Sequence, residues 1–361
     1  MRLNELDLEI PAELVAQTPM QPRDACRLMV VDPVGGSIVH DRFHDLRRHL
    51  LPDDVLVIND SRVVAARLWL HKATGGRVEL LFLHPLADDS GSWEVLARPS
   101  GRLRPGQVLR TPRGRAVRLA ARLGDGRWQV GLDDGPGFRT VLHEEGTMPL
   151  PPYIKTPLTR PDDYQTVYAH AEGSAAAPTA GLHFTPELLT SLRAGGIEIV
   201  PVTLHVGIDT FRPLTEECVE EHQIHQEAYD APPESIARLD AARAQGRRLV
   251  AVGTTAVRVL ETLYRDAEPA APSTASSAGW TGLFITPGHR FRAVDAVVTN
   301  FHLPRTSLLA LVMAFAGVDA IRDAYEEAVR ERYRVYSFGD AMLITRPGAS
   351  RQDRLHERAH V

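Results

Sequence analysis

Short apolar runs that stop abruptly at polar residues set the pattern of the chain. Val55-Leu56-Val57-Ile58 ends in Asn59-Asp60-Ser61-Arg62. Arg248–Val252 gives way to Gly253-Thr254-Thr255, and Asp295–Val298 to the polar stretch Thr299–Ser307. Continuous apolar runs of this length suit strands buried on both faces. Helical patterns follow the last two, from Ala256 to about Tyr264 and on to Ala316, where Gly317 provides a stop. Arg27–Asp32 and Ile197–Val206 add strands, Pro11–Gln17 a short helix, and Ala320–Arg334 a final amphipathic helix. Strands alternating with helices predict a largely parallel sheet. Ligands of such sheets bind outside the carboxyl ends of the strands, where these polar loops sit.

Between Val63 and Pro149 the pattern changes. Short β-rich pieces (Arg67–His71, Val78–Leu83, Trp93–Ala97, Val117–Leu123, Trp128–Leu132) alternate with turn signals such as Gly75-Gly76 and Gly124-Asp125-Gly126. The first good helix signal is Phe138–Glu145. Close strand spacing predicts a small barrel or sandwich. The expected architecture is an α/β large domain with a mainly parallel sheet, residues 1–62 and 150–361. An inserted all-β, barrel-like domain occupies residues 63–149.

Tyr164–Pro186 is unlike the rest. Gly173 to Gly181 carries almost no side chain able to fill a core, which lets a backbone approach something closely. Thr185 suits an N-cap, Pro186 the first helical position and Glu187 the dipole. The helix then runs through Leu188, Leu189 and Leu192 to Gly195-Gly196. A small-residue loop feeding a helix start offers N–H groups to an anionic or polar ligand, or it packs tightly under another backbone. This unit, the Arg248 unit and the Asp295 unit each read as strand, loop and helix. Their loops, around His183, Thr254 and His302, are expected to converge.

Composition narrows the chemistry. Net charge is −5, so a nucleic-acid partner requires a local basic patch. One exists: from Val95 to Gly124 there are eight arginines, Arg98, Arg102, Arg104, Arg110, Arg113, Arg115, Arg118 and Arg122, and no acid. The run reads either as a solvated sheet surface or as phosphate contact. The only cysteines, Cys26 and Cys218, form no metal-binding or redox pair, which excludes a Cys-ligated iron–sulfur cluster. No apolar run is long enough to span a membrane, and the N-terminus lacks a signal-peptide pattern, so a cytoplasmic protein is expected. His222 and His225 have a metal-like spacing but no third ligand. Ser174 lacks the second glycine of a nucleophile elbow, since Ala176 stands there. No Gly-x-Gly-x-x-Gly fingerprint is present, which argues against an ordinary dinucleotide-type methyltransferase.

Y-Q-T-V-Y-A-H-A-E-G-S-A-A-A-P-T-A-G-L-H-F-T at Tyr164–Thr185 closely resembles the signature of the S-adenosylmethionine:tRNA ribosyltransferase-isomerases of queuosine synthesis. Further matches are P-R-D-x-x-R-L at Pro22–Leu28, V-L-V-I-N-D-S-R-V-V-A-A-R-L at Val55–Leu68, and V-T-L-H-V-G at Val202–Gly207. V-G-T-T-x-V-R at Val252–Arg258, T-N-F-H-L-P at Thr299–Pro304 and G-D-A-M-L-I at Gly339–Ile344 extend the resemblance over essentially the whole chain. Three departures are His170, where the family usually has lysine, Ala175, where it often has valine, and Asp209, where it has glycine.

The resemblance implies transfer and isomerisation of the ribosyl group of S-adenosylmethionine onto 7-aminomethyl-7-deazaguanine at the tRNA wobble position. Epoxyqueuosine-tRNA, adenine and methionine are the implied products. It implies a large α/β domain with an inserted barrel, S-adenosylmethionine as substrate, no metal or other cofactor, and a monomer that meets the anticodon loop and no membrane. His183 and His302 are the implied acid–base pair, since an imidazole works near neutral pH. Implied substrate-binding groups are Tyr164, Tyr168, Ser174, Thr179 and Gly181 from the signature. His205, Gly253, Thr254, Thr255, Arg258 and Asn300 join them from the other motifs. Arg98, Arg102, Arg104, Arg110 and Arg113 are the expected tRNA contacts. A tRNA-binding protein without activity and a divergent methyltransferase are the alternatives.

Overall fold

The computed structural model describes residues 1–86, 91–133, 137–207, 213–267, 272–273 and 277–346. Asp209, parts of the Asp266–Ala278 stretch and the tail beyond Arg346 lie outside them. In chain order the strands are β1 Arg27–Asp32, β2 Ser37–Arg42, β3 Val55–Asn59, β4 Ser61–Val63, β5 Arg67–His71, β6 Arg77–Pro85, β7 Ser92–Arg98, β8 Val108–Arg110, β9 Ala116–Gly124 and β10 Arg127–Leu132. Helix α1 is Phe138–Glu145, then come β11 Ala171–Ser174, α2 Pro186–Ala194, β12 Glu198–Leu204, β13 Glu227–Asp230, α3 Pro233–Ala244, β14 Leu249–Val252 and α4 Gly253–Leu263. The chain closes with β15 Ala278–Thr281, β16 Ala296–Asn300, α5 Ser307–Ala316, α6 Val318–Arg330 and β17 Ala341–Thr345.

Two compact units form. The first holds Met1–Ser61, Pro151–Ala171 and the chain from Ala177 onward; the second holds Arg62–Leu150 with Glu172–Ala176. The first is built on a nine-stranded sheet, order β15-β13-β12-β3-β14-β16-β17-β1-β2. Its centre, β12-β3-β14-β16, is parallel, and so is β17 against β1. The β16–β17, β1–β2, β12–β13 and β13–β15 pairs are antiparallel. The sheet is therefore mixed rather than mainly parallel. Apolar runs reveal a buried strand but not its direction.

Side chains alternate between two cores. In β3, Val55 and Val57 face α3–α6, while Leu56 and Ile58 face α2 and the turn at Phe43–His49. In β16, Val297 joins the first core, and Ala296 and Val298 the second. That alternation matters at the strand's end, where Thr299 and Asn300 continue it.

The second unit is a closed antiparallel barrel, order β10-β7-β6-β5-β8-β9. Leu68, Leu70, Val78, Leu80, Val117, Leu119, Trp128 and Val130 fill it at alternate positions. Trp128 is fully buried and its indole N–H donates to Ser100 Oγ at 3.0 Å, so the ring brings no unpaired donor inside.

Candidate active site

The carboxyl ends of β3, β12, β14 and β16 form one edge of the large sheet, fixed by a side-chain clamp. Asn59 Oδ1 accepts from the N–H groups of Ser61 (3.1 Å) and Leu204 (3.0 Å), and Asn59 Nδ2 donates to the Leu204 carbonyl at 3.1 Å. A fully buried asparagine thus replaces the ladder where β3 and β12 run out. It places Asp60 and His205 beyond the two strand ends.

The signature segment reaches this edge by a different route from the expected one. No strand of the large sheet precedes it, because β11 pairs with β4 in a two-stranded sheet. A 3-10 turn at Thr179–His183 leads into α2 instead. Thr185 caps α2, accepting from the Leu188 N–H at 3.1 Å and donating its hydroxyl to Asp24 Oδ2 at 2.9 Å. The turn lies against the ends of β16 and β14. Thr179 Oγ1 donates to Asn300 Oδ1 at 2.8 Å, and a Cβ on Gly253 would meet the Ala180 Cβ at 3.5 Å.

Gly181 explains why the run must be small. A Cβ there would lie 2.1 Å from the Tyr168 hydroxyl and 2.8 Å from Thr166 Cγ2. Gly253, at φ +84°, turns β14 directly into α4 and leaves Thr255 Oγ1 beside it. Around these two glycines, Tyr168 Oη, Thr166 Oγ1 and Thr255 Oγ1 are buried without a hydrogen-bond partner. Leaving a buried hydroxyl unpaired costs about 1–3 kcal/mol. Burial, with the charge of Asp60, pushes the Tyr168 phenol far above its ordinary pKa and keeps it a hydrogen-bond donor.

The two histidines are placed apart. His183 is buried against Phe43, ring centroids 5.1 Å apart. Its Nε2 is 3.1 Å from Asn300 Nδ2 and its Nδ1 is 3.3 Å from Cys26 Sγ. His302 Nε2 lies 2.7 Å from Thr299 Oγ1, and its main chain is bonded to the Tyr325 hydroxyl. Thr299 and Asn300 point to opposite faces of β16, so the imidazoles do not share a cleft. Burial lowers the pKa of each to about 3, in His183 with help from Arg334 and Arg23. Both are neutral at physiological pH.

The other expected site residues divide. Thr254 is buried at the start of α4. Tyr164 is buried edge-to-face on Phe338. His205 is half-buried with Nδ1 unpartnered; burial lowers its pKa, and Asp60 and Asp230 oppose that. Ser174 belongs to the barrel unit, where its hydroxyl donates to the Ala176 carbonyl at 2.7 Å. Arg258 is fully engaged internally: it pairs with Glu227 and donates to the carbonyls of Leu283 (3.1 Å) and Thr281 (3.3 Å). That geometry makes it a brace for Glu227 rather than a ligand contact.

A profile of the family described as "Queuosine biosynthesis protein" matches residues 3–344. The chain belongs to the queuosine biosynthesis protein family. A relative from Rubrobacter xylanophilus, named S-adenosylmethionine:tRNA ribosyltransferase-isomerase, is 51% identical over 350 residues, covering 97% of this chain and 99% of its own. One of the same name from Moorella thermoacetica is 50% identical, with 95% and 100% covered. The crystal structure of S-adenosylmethionine tRNA ribosyltransferase from Thermotoga maritima is 38% identical with a TM-score of 0.53, covering 94% of this chain and 99% of that one.

The second histidine pair, His222 and His225, is taken up by carboxylates. His222 Nδ1 meets Glu216 at 3.0 Å and His225 Nε2 meets Glu227 at 3.0 Å, and no group of three or more His, Cys, Asp or Glu is arranged to hold a metal among the described residues. The arginine run is partly neutralised by acids from outside it. Arg113 pairs with Glu144 at 2.8 Å, Arg115 with the same carboxylate, and Arg118 with Asp133 at 2.7 Å. Arg98, Arg102 and Arg104 are exposed with no ion pair among the described residues, and Arg110 donates to the Gly114 carbonyl at 2.9 Å. Sequence reasoning missed Asp60, Thr166 and Cys26 as site residues. Asp60 had one signal, its place just past an apolar run.

Proposed function

We propose that this chain is an S-adenosylmethionine:tRNA ribosyltransferase-isomerase. It transfers and isomerises the ribosyl group of S-adenosylmethionine onto the aminomethyl-deazaguanine wobble base of the tRNA anticodon loop, releasing adenine and methionine. The observation that carries the reading is the set of unpartnered hydroxyls on Tyr168, Thr166 and Thr255 around Gly181 and Gly253, at the sheet edge where ligands of such folds bind. A ligand rich in hydroxyl and carboxylate oxygens, such as a nucleoside joined to an amino acid, supplies what those groups lack. The reaction removes a C5′ proton made acidic by the adjacent sulfonium, and adenine leaves with a proton gained. S-adenosylmethionine is a substrate here, and the chemistry requires no metal or redox cofactor.

His183 serves this reaction by fixing Asn300, and His302 by fixing the loop after β16. Burial keeps both imidazoles neutral in the free protein. The test is product analysis with S-adenosylmethionine and tRNA bearing the precursor base. Free adenine and methionine are expected. S-adenosylhomocysteine would identify methyl transfer, and no consumption of S-adenosylmethionine would identify a binding protein without activity.

A further inference from the structure

Asp60 has a construction that neither the family nor the relatives' names explain. Its backbone is held on both sides: its N–H donates to the Val202 carbonyl at 3.0 Å, and its carbonyl accepts from His170 N–H at 2.7 Å and Ala171 N–H at 3.2 Å. One carboxylate oxygen accepts the Thr203 hydroxyl at 2.6 Å. Thr203 is itself buried, and Val202 is paired with Asn59 in the register of β3 and β12, so the carboxylate is aimed by the sheet. The other oxygen has no hydrogen-bond partner, and no cation pairs with Asp60 among the described residues. Glu227, by contrast, is neutralised by Arg258 and lies 3.0 Å from His225 Nε2.

The surroundings point the same way. The segment that hangs on the Asp60 carbonyl carries Tyr168, whose hydroxyl is buried, unpartnered and pressed against Gly181. Thr166, 5% exposed, holds a second unpartnered hydroxyl beside the same glycine. The Asp60 charge is felt at both Tyr168 and His205. A half-buried carboxylate, oriented and without a counter-ion, next to buried and unpartnered hydroxyls, is half of a charge pair.

We infer that Asp60 is the counter-ion for a cationic group of the substrate. The inference rests on the reaction proposed above, which brings two such groups to the site: the sulfonium of S-adenosylmethionine and the ammonium of the acceptor base. Asp60 is a binding and orienting group in either case. No proton or bond change is assigned to it.

The experiment measures charge preference in the full chain. Dissociation constants are compared for S-adenosylmethionine against S-adenosylhomocysteine, which lacks the sulfonium charge. They are compared again for tRNA bearing the aminomethyl base against the same tRNA with guanine there. Asp60→Asn is expected to weaken the charged member of one pair by ~10–100-fold while leaving its uncharged analogue within about twofold, the range of a hydrogen bond to a charged group. Loss of preference in the first pair places the sulfonium at Asp60, and loss in the second places the ammonium there. Unchanged preference in both pairs, with the variant folded, overturns the inference. Thr203→Val, which removes only the aiming hydroxyl, should lower the same preference by a smaller factor. If Asp60→Asn does not fold, an unaltered preference in Thr203→Val overturns the inference instead. Failure of the reaction itself is read separately, from absence of adenine with the wild-type chain.

Discussion

The Asn300 amide nitrogen donates to His183 Nε2 at 3.1 Å and, on its other hydrogen, to the Tyr336 carbonyl at 3.2 Å. A carbonyl can only accept, so the amide orientation is settled, and Nε2 must be the acceptor. The proton of His183 is then on Nδ1, facing Cys26 Sγ at 3.3 Å. Asn300 Oδ1 takes the Thr179 hydroxyl at 2.8 Å, which completes the chain Cys26–His183–Asn300–Thr179. Every polar atom of the imidazole is used.

A histidine so placed is replaceable by a side chain that offers an acceptor in the same position. His183→Gln should therefore retain clearly more turnover than His183→Ala, which leaves the buried Asn300 amide one acceptor short. A lost acid–base group typically costs ~10²–10⁴-fold, and it costs that whichever residue replaces it. Equal losses in the two variants, measured as kcat on the precursor tRNA, would restore His183 to the role of proton carrier.

Both buried histidines make stability depend on pH, with a definite sign. Their pKa falls from 6.5 in the unfolded chain to about 3 in the folded one. Between those limits the unfolded chain binds the protons and the folded chain does not, so stability is complete above pH 6.5 and declines as pH falls. Each histidine adds a slope of up to ~1.4 kcal/mol per pH unit inside that window. Urea unfolding at pH 7 and pH 5 should show a smaller loss for His302→Gln than for wild type. The same loss in both would mean that His302 is protonated in the folded chain.

The barrel arginines separate by partner. Arg98, Arg102 and Arg104 are exposed and without ion pairs among the described residues, whereas Arg113 is held by Glu144 at 2.8 Å. If the first three reach tRNA phosphates, removing each lowers the log–log salt slope of binding by ~0.7–0.9. Arg113→Ala should change it less, because an arginine already paired in the protein gives up that pairing to meet phosphate. A slope that moves equally for all four, or for none, removes the distinction.

How far the sequence could be read depended on the distance between partners. The strand ends at Asn59, Val252 and Asn300 were legible to within two residues because an apolar run followed by polar residues is a local pattern. So was the Thr185 cap, three residues from the N–H it satisfies. The antiparallel edges were not, since β13 and β15 are four-residue strands with little apolar signal. Helix α3, with polar and small residues spread around it, gave no clear period either. His183 looked catalytic because its partners, Cys26 and Asn300, are 157 and 117 residues away and leave no trace in its neighbourhood. Arg258 was misjudged for the same reason, as its partner Glu227 lies 31 residues before it.

Tyr168 and Gly181 allow ligand binding and folding to be told apart in one cycle. The Tyr168 hydroxyl is buried with nothing to bond, so Tyr168→Phe removes an unsatisfied group and should leave the melting temperature unchanged or higher. Turnover should nevertheless fall, because a group left unpaired in the free protein is one the substrate completes. Gly181→Ala does the reverse to the fold. Its new methyl would sit 2.1 Å from that hydroxyl and 3.0 Å from the ring carbon bearing it, so the tyrosine must move and stability drops. Combining the two takes away the closest clash. The double variant should regain part of the stability lost in Gly181→Ala, a coupling within the ~0.5–3 kcal/mol typical of contacting residues, yet stay as inactive as the worse single variant. Thermal melting and turnover on the precursor tRNA read the two outcomes independently. Full activity in Tyr168→Phe would mean that the hydroxyl meets no substrate, and substrate contact near Gly181 would then fall to Thr166 and Thr255 alone.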